Sequence, residues 1–402
     1  MKLKAVSDKK ENVNARWNAF CNVFLRELKR LASRPLYWFC VILAPLFCYV
    51  FFTSLMKSGL PTGLPLGLVD QDCTATSRQL ARNLDAFQQT SITAQFASVR
   101  EARKALQRGE IYGYYYIPKG TTKDAQRQEM PTVSFYTNNS YLVASSLLYR
   151  DMRTMSELAS GAASRSVLYA KGATGRQAMA FLQPIVIDTH PLNNPWLNYS
   201  VYLCNVLLPG VLLLFVLLVT VHGIGIEIKE HTAREWLYES GFSMPVALAG
   251  KLLPQTFLFW LVGAAYVFLL YGVLRFPCNS GISVMLFVMA VSVCATQGLG
   301  VLMIGVLPVL RLGLSFASLW AVISFSISGM SYPVMAMHPA LQGLCVLFPL
   351  RHYFILYVNC ALDGYELLNA WPYLLSLFLF MLLPLLVMRR LKRVLLMAEY
   401  KP

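Results

Sequence analysis

A loop that cradles ATP phosphates needs a glycine, four residues, a second glycine, then Lys and Ser or Thr, because backbone N–H groups and one lysine must converge on the anion. The nearest fragment here is Gly250-Lys251, but Leu252 follows it and Pro245 stands where the first glycine belongs. The chain is therefore not expected to bind ATP by such a loop. Metal chemistry fares no better. The nine cysteines, at 21, 40, 48, 73, 204, 278, 294, 345 and 360, form no CxxC pair, and His222, His231, His338 and His352 lack the spacing of an HExxH zinc motif. Cys278 could pair with Cys345 or Cys360, and no metal ligand set is expected. Asp70 and Asp72 end a strand-like run just before Ser77 and Arg78, where α/β folds often take ligands. Capping a turn is the commoner duty of such residues.

The one sizeable internal loop expected on the cytosolic side lies between residues 222 and 251. Glu227, Glu230, Thr232, Arg234, Glu235 and Glu239 surround Trp236 and Leu237, and the stretch 225–240 reads as a short amphipathic helix. An aromatic anchor ringed by charges is the composition of a protein-docking hot spot. The alternative is a solvated helix resting Trp236 on lipid headgroups.

These residues are held by an apolar frame. Of 402 residues, 56% are hydrophobic and 14% charged, and the mean hydropathy is +0.50, which excludes a disordered or disulfide-stapled secreted chain and marks a membrane protein. Six uncharged runs are long enough to span a bilayer: 36–56, 201–221, 252–274, 282–310, 312–331 and 371–388. Nine Lys/Arg precede the first and five follow the last, so the net charge of +15 reads as a topology signal rather than a nucleic-acid footprint. It puts both termini in the cytosol. The first run is too long for a signal peptide's apolar core and lacks a cleavage site, so it reads as an uncleaved anchor. Before it, Trp17, Phe20, Phe24, Leu28 and Leu31 recur every three or four residues, the pattern of an interfacial helix or of a plain cytosolic one.

Between the first two runs the period changes. Runs at 64–69, 92–96, 112–117 and 133–136 read as strands, while 76–87, 99–108 and 140–169 read as helices, so an α/β domain is expected over 57–198, outside the membrane. The remaining boundaries follow: a cytosolic tail and interfacial helix over 1–35, spans two to six over 199–390, an outer re-entrant segment at 331–370, and a basic tail at 391–402.

The six runs contain no ionisable group, whereas ion-driven carriers need one near the midplane. Gln255, Gln297 and small hydroxyls at Ser324, Ser328 and elsewhere are their polar content, which suits close helix packing better than substrate contact. Any transport then needs another energy source, and ATP hydrolysed by a separate chain is the obvious one.

At this point the chain resembles the permeases of type-2 ABC exporters, in the bacterial efflux subgroup with a large domain between the first two spans. Arg26-Glu-Leu-Lys-Arg30 with Arg34-Pro35 is similar to the family's elbow helix. Leu64-Pro-Leu-Gly-Leu-Val-Asp-Gln-Asp72 is similar to its opening strand, and Glu230-His-Thr-Ala-Arg-Glu235 to its coupling helix, although Ala233-Arg234-Glu235-Trp236 replaces the commoner Glu-x-Gly-Thr. Phe325-Ser-Ile-Ser-Gly-Met-Ser-Tyr-Pro333, Met337-His-Pro339 and Phe348-Pro-Leu-Arg-His-Tyr353 resemble the segment that re-enters the outer leaflet. The resemblance implies a polytopic protein of the bacterial inner membrane, paired through spans two and five with an identical or related permease. It implies ATPase subunits that use ATP and Mg, docked on Glu227, Glu230, Thr232, Arg234, Glu235 and Trp236, with no cofactor on this chain. It also implies a path past Gln297, Ser324, Phe325, Ser328 and Met330 for hydrophobic or amphipathic cargo, and a periplasmic adaptor as a further partner. The rival reading is an extracytoplasmic ligand sensor or scaffold.

Overall fold

An apolar run in hydrocarbon leaves its backbone groups no partner outside the run, so a helix is the available solution. Among the described residues, six helices are long and apolar enough to cross: Pro35–Leu55, Tyr199–Lys229, Met244–Val273, Ile282–Val306, Leu310–Ile327 and Trp371–Met397, called spans one to six. The computed structural model describes residues 2–127 and 129–397, with side chains from Arg16 onward. Lys401 and the side chains of Lys2, Lys4, Lys9 and Lys10 lie outside the described residues. The chain is 69% helical. It divides into two compact units, Met1–Lys57 with Leu192–Pro402, and Ser58–Pro191.

Most span helices begin and end close to the apolar windows, with informative exceptions. Span two runs on to Lys229 and span three begins at Met244, so Glu227 and Lys251 belong to span helices. The expectation of spans free of ionisable groups is corrected at those turns. An apolar window stops at the first charge, whereas a helix needs only its backbone bonds and continues. The expected single helix over 225–240 is also corrected. Span two ends at Lys229, His231 takes a left-handed φ of 59°, and a separate loop helix covers Ala233–Glu239.

Between spans five and six, the helices Pro339–Cys345 and Pro349–Leu362 meet at 86°. The direction of this pair follows from what surrounds it. Arg34, just before span one, pairs with Glu230 at the end of span two, and the Leu396 carbonyl at the end of span six accepts from Arg234 Nη2 at 3.2 Å. Both ends of the unit thus meet the same loop, and the bent pair returns to the end of the bundle it left. Cys278, Cys345 and Cys360 are all free thiols; Cys345 packs with Ile327 and Phe348, apart from the cluster that holds Cys278 and Cys360.

The second unit is a three-layer α/β fold. Strands β1 (Leu64–Asp70), β2 (Thr90–Gln95), β3 (Gly113–Ile117) and β4 (Ser134–Thr137) lie in the order β2-β1-β3-β4, with β1 parallel to both neighbours and β4 antiparallel. Alternation along β1 sends Leu64, Leu66 and Leu68 to one face, packed on Leu84 of helix Ala75–Asp85 and on Leu148 and Met152 of helix Leu142–Ala170. Val69 faces the other way, against Ala102 and Ala105 of helix Val99–Gln107.

The β1 carboxylates close turns. Asp70 accepts from the backbone N–H groups of Asp72 and Cys73, both at 3.0 Å, and from Ser77 Oγ at 2.7 Å. Asp72 ties the β1 loop to the β3 loop, accepting from the Gly120 N–H at 2.9 Å, the Thr122 N–H at 3.2 Å and Thr74 Oγ1 at 3.0 Å. Burial works against the Asp72 charge, but the Thr122, Thr74 and Gly120 donors outweigh it and hold the carboxyl below its usual range. A carboxyl depressed in the folded state adds stability above its unfolded value near 4, and that stability is lost as pH falls through the lower native value. Calorimetric scans of the whole chain between pH 6 and pH 3 should therefore show a steeper loss for wild type than for Asp72→Asn. At neutral pH, Asp72→Ala should cost this unit about 2 kcal/mol.

Candidate functional site

The N-terminal helix Lys2–Ser33 carries Arg26 and Arg30 one turn apart, and Arg34, just past its end, continues that stripe. Glu27 lies beside that stripe, and Val23 one turn earlier on the same face is buried. This face lies on span three where Gly250 leaves room for it: a Cβ at 250 would stand 2.9 Å from Val23 Cβ and 3.2 Å from the Phe20 carbonyl oxygen. Gly250, a fragment of a failed phosphate loop in the sequence, serves here as the seat of a helix crossing.

One residue further on, Lys251 is 1% exposed and lies between two carboxylates. Its Nζ donates to Glu27 Oε2 at 2.8 Å and to Glu227 Oε1 at 2.7 Å, and stands 5.0 Å from the Trp236 ring centroid. Gln255 Nε2 completes Glu27 at 2.7 Å. Glu227 is fully buried and also accepts from Arg26 Nη2 at 3.1 Å, from Arg30 and from Thr232 Oγ1. Outside this centre, Glu230 takes Arg30 Nη2 at 2.9 Å and Arg34 Nη2 at 2.6 Å, and Glu239 lies 3.5 Å from Arg26 Nε. Hydrogen bonding from Arg34 holds Glu230 below the usual carboxylate range, while burial pushes Glu239 above it.

Four carboxylates, Glu27, Glu227, Glu230 and Glu239, thus meet four cations, Arg26, Arg30, Arg34 and Lys251. The charges cancel, as they must where each unpaired buried ion would cost several kcal/mol. The cluster joins the N-terminal helix, the end of span two, the start of span three and the loop helix. It is a junction whose ions are paired with one another.

Of the residues expected to dock a partner, Glu227 and Trp236 are inside this junction, both 0% exposed. Trp236 packs with Leu237, Val23 and Leu248 under the Lys251 ammonium. Thr232 and Glu230 also face the cluster. Arg234 and Glu235 remain exposed, and Tyr238, at 74%, forms with Phe242 an edge-to-face pair at 6.2 Å. The outward aromatic of the loop helix is therefore Tyr238. The sequence shows why this was hard to see: Trp236 and Tyr238 sit two apart on a seven-residue helix, and only the crossing of the N-terminal helix decides which turns in.

The expected path residues divide as well. Ser324, Phe325, Ser328 and Met330 gather at one end of span five. Phe325 packs on span two at Gly210, Ser324 lines a cavity of about 20 Å³ shared with Trp320 and Phe348, and the Met330 carbonyl accepts from Tyr202 Oη of span two. Gln297 stands apart, accepting from Thr256 Oγ1 at 2.6 Å and so linking spans three and four. Many span hydroxyls bond within their own helix: Ser292 to the Val288 carbonyl, Thr296 to Ser292, Ser324 to Ala321 and Ser328 to Phe325.

Among the described residues, no group of three or more His, Cys, Asp or Glu could hold a metal ion. No curated protein matches the chain. A family model described as "ABC-2 family transporter protein" matches residues 35–388, from the first residue of span one into span six and across both compact units. Six apolar helices, a charged loop locked to the N-terminal helix and a match over most of its length agree: this chain belongs to the ABC-2 family of transporter proteins.

Proposed function

We propose that this chain is the permease subunit of an ATP-driven exporter, energised by a separate ATPase and moving hydrophobic or amphipathic cargo out of the bacterial cytoplasm or inner membrane. The junction is the observation that carries this reading. A push on the loop helix reaches the N-terminal helix and spans two and three through buried ion pairs, which repack between discrete arrangements rather than stretch. On this reading both termini and the loop helix face the cytosol, and Ser58–Pro191 lies outside as an inserted domain. A second permease pairs through spans two and five, and ATP and Mg are used by the ATPase alone.

Gentle solubilisation from the native membrane, followed by identification of bound chains and an ATP hydrolysis assay, tests this directly. A stoichiometric ATPase is expected. A stable complex without one moves the weight to a sensor or scaffold built on Ser58–Pro191.

A further inference from the structure

The junction neutralises every cation it buries, whereas Arg351 has no counter-ion among the described residues. It begins the longer arm of the bent pair, Pro349–Leu362, at the end of the bundle opposite the loop helix. Its Nη1 donates to the Ser328 carbonyl at 2.8 Å, and a Cβ at Gly329 would stand 2.4 Å from that nitrogen. No carboxylate forms an ion pair with it among the described residues. One of five guanidinium N–H donors is thus engaged.

The segment that carries Arg351 also presents apolar side chains. Leu344, Val346 and Leu347 of the bent segment are exposed side chains suited to hydrocarbon. Nearby, Trp320 stacks on Phe348 at 4.7 Å, and its indole N–H is buried with no acceptor. A cation beside hydrocarbon is costly unless its charge is met, and intramembrane charges are rare and mark sites of function. One helix-end carbonyl offsets only part of a full charge.

We propose that Arg351 receives the anionic headgroup of an amphipathic molecule whose apolar part lies in the leaflet along the exposed side chains of Leu344, Val346 and Leu347. A phosphate or carboxylate offers the planar or paired acceptors that a guanidinium fork matches, and an apolar tail suits the side chains around it. The assignment sharpens the cargo class and rests on the exporter reading in that respect alone. Binding itself needs no ATPase, so failure of this assignment and failure of the exporter reading are read in different experiments.

The test uses the full chain in detergent with equimolar phosphatidylglycerol and phosphatidylcholine of matched acyl chains, and retained lipid is counted by native mass spectrometry. Arg389→Gln/Arg393→Gln serves as background, because those exposed cations on the span-six helix also attract anionic lipid. Retention of the anionic lipid should exceed that of the zwitterionic one about tenfold, Arg351→Gln should abolish the preference, and Arg351→Lys should keep part of it. An alkyl phosphate that displaces the lipid marks the site as one for anionic amphiphiles generally; no displacement restricts it to bilayer lipid. An unchanged preference in Arg351→Gln overturns the assignment. Should that variant not fold, a photoreactive anionic-headgroup lipid on the wild-type chain decides instead. Labelling concentrated at residues 349–353 supports the site, and equal labelling by its choline counterpart rejects it.

Discussion

Lys251→Met should lower the stability of the membrane unit by about 3–5 kcal/mol, because it leaves two buried carboxylates without the ammonium that lies between them. Glu227 would keep Arg26, Arg30 and Thr232, but Glu27 would keep only the amide of Gln255. The loss should appear as a fall of roughly 10 °C in the melting temperature of the purified chain. A second substitution then separates stability from coupling. In Glu27→Met/Lys251→Met the buried pair becomes apolar at similar volume, an exchange that is often neutral or stabilising. The remaining deficit is the orphaned Gln255 amide, about 1 kcal/mol. The double variant should therefore melt near wild type, yet transport slowly for the ATP it consumes, since no ion pair then links the N-terminal helix to span three. If it transports as wild type does, the junction serves stability and movement passes by another route.

What the sequence disclosed and what it withheld divide along local and long-range lines. Periodicity located six spans and the four strands, because apolar windows and alternation are properties of neighbouring residues. It also placed the charges of the loop between spans two and three. It did not show that Glu227, Glu27 and Lys251 meet, since Glu27 and Glu227 are two hundred residues apart in the chain and nothing local records their contact. A partial signal existed in the stripe of Arg26, Arg30 and Arg34 and the facing pair Glu227 and Glu230, which match in charge and helical spacing. Gly250-Lys251 shows the opposite hazard: a pair noticed for a chemistry it cannot perform, whose glycine admits a helix and whose lysine neutralises it. Arg351 lay within a motif known by resemblance, and only its lack of an ion pair among the described residues singled it out.

The two aromatics of the loop helix should part company under substitution, and this contrast tests which surface meets the proposed ATPase. Trp236 is a fully buried indole, packed on Leu237 and Val23 and capped by the Lys251 ammonium. Trp236→Ala should cost about 3–5 kcal/mol through the cavity and the lost cation–π contact, so its transport defect would follow from a damaged fold. Tyr238 is exposed and touches Phe242 alone among aromatics, so Tyr238→Ala should change stability by less than about 0.5 kcal/mol. Its cost should fall instead on the partner. An aromatic anchor at the centre of a docking surface is worth about 2 kcal/mol, close to a thirtyfold loss of ATPase affinity. Arg234→Glu should add to that loss less cleanly, because Arg234 also donates to the Leu396 carbonyl at the end of span six. Melting curves and ATPase co-purification, measured side by side for Trp236→Ala and Tyr238→Ala, give the decision. Should Tyr238→Ala retain the full complement of ATPase, the docking surface lies off this helix, and the junction beneath it would then lock the fold without receiving the stroke.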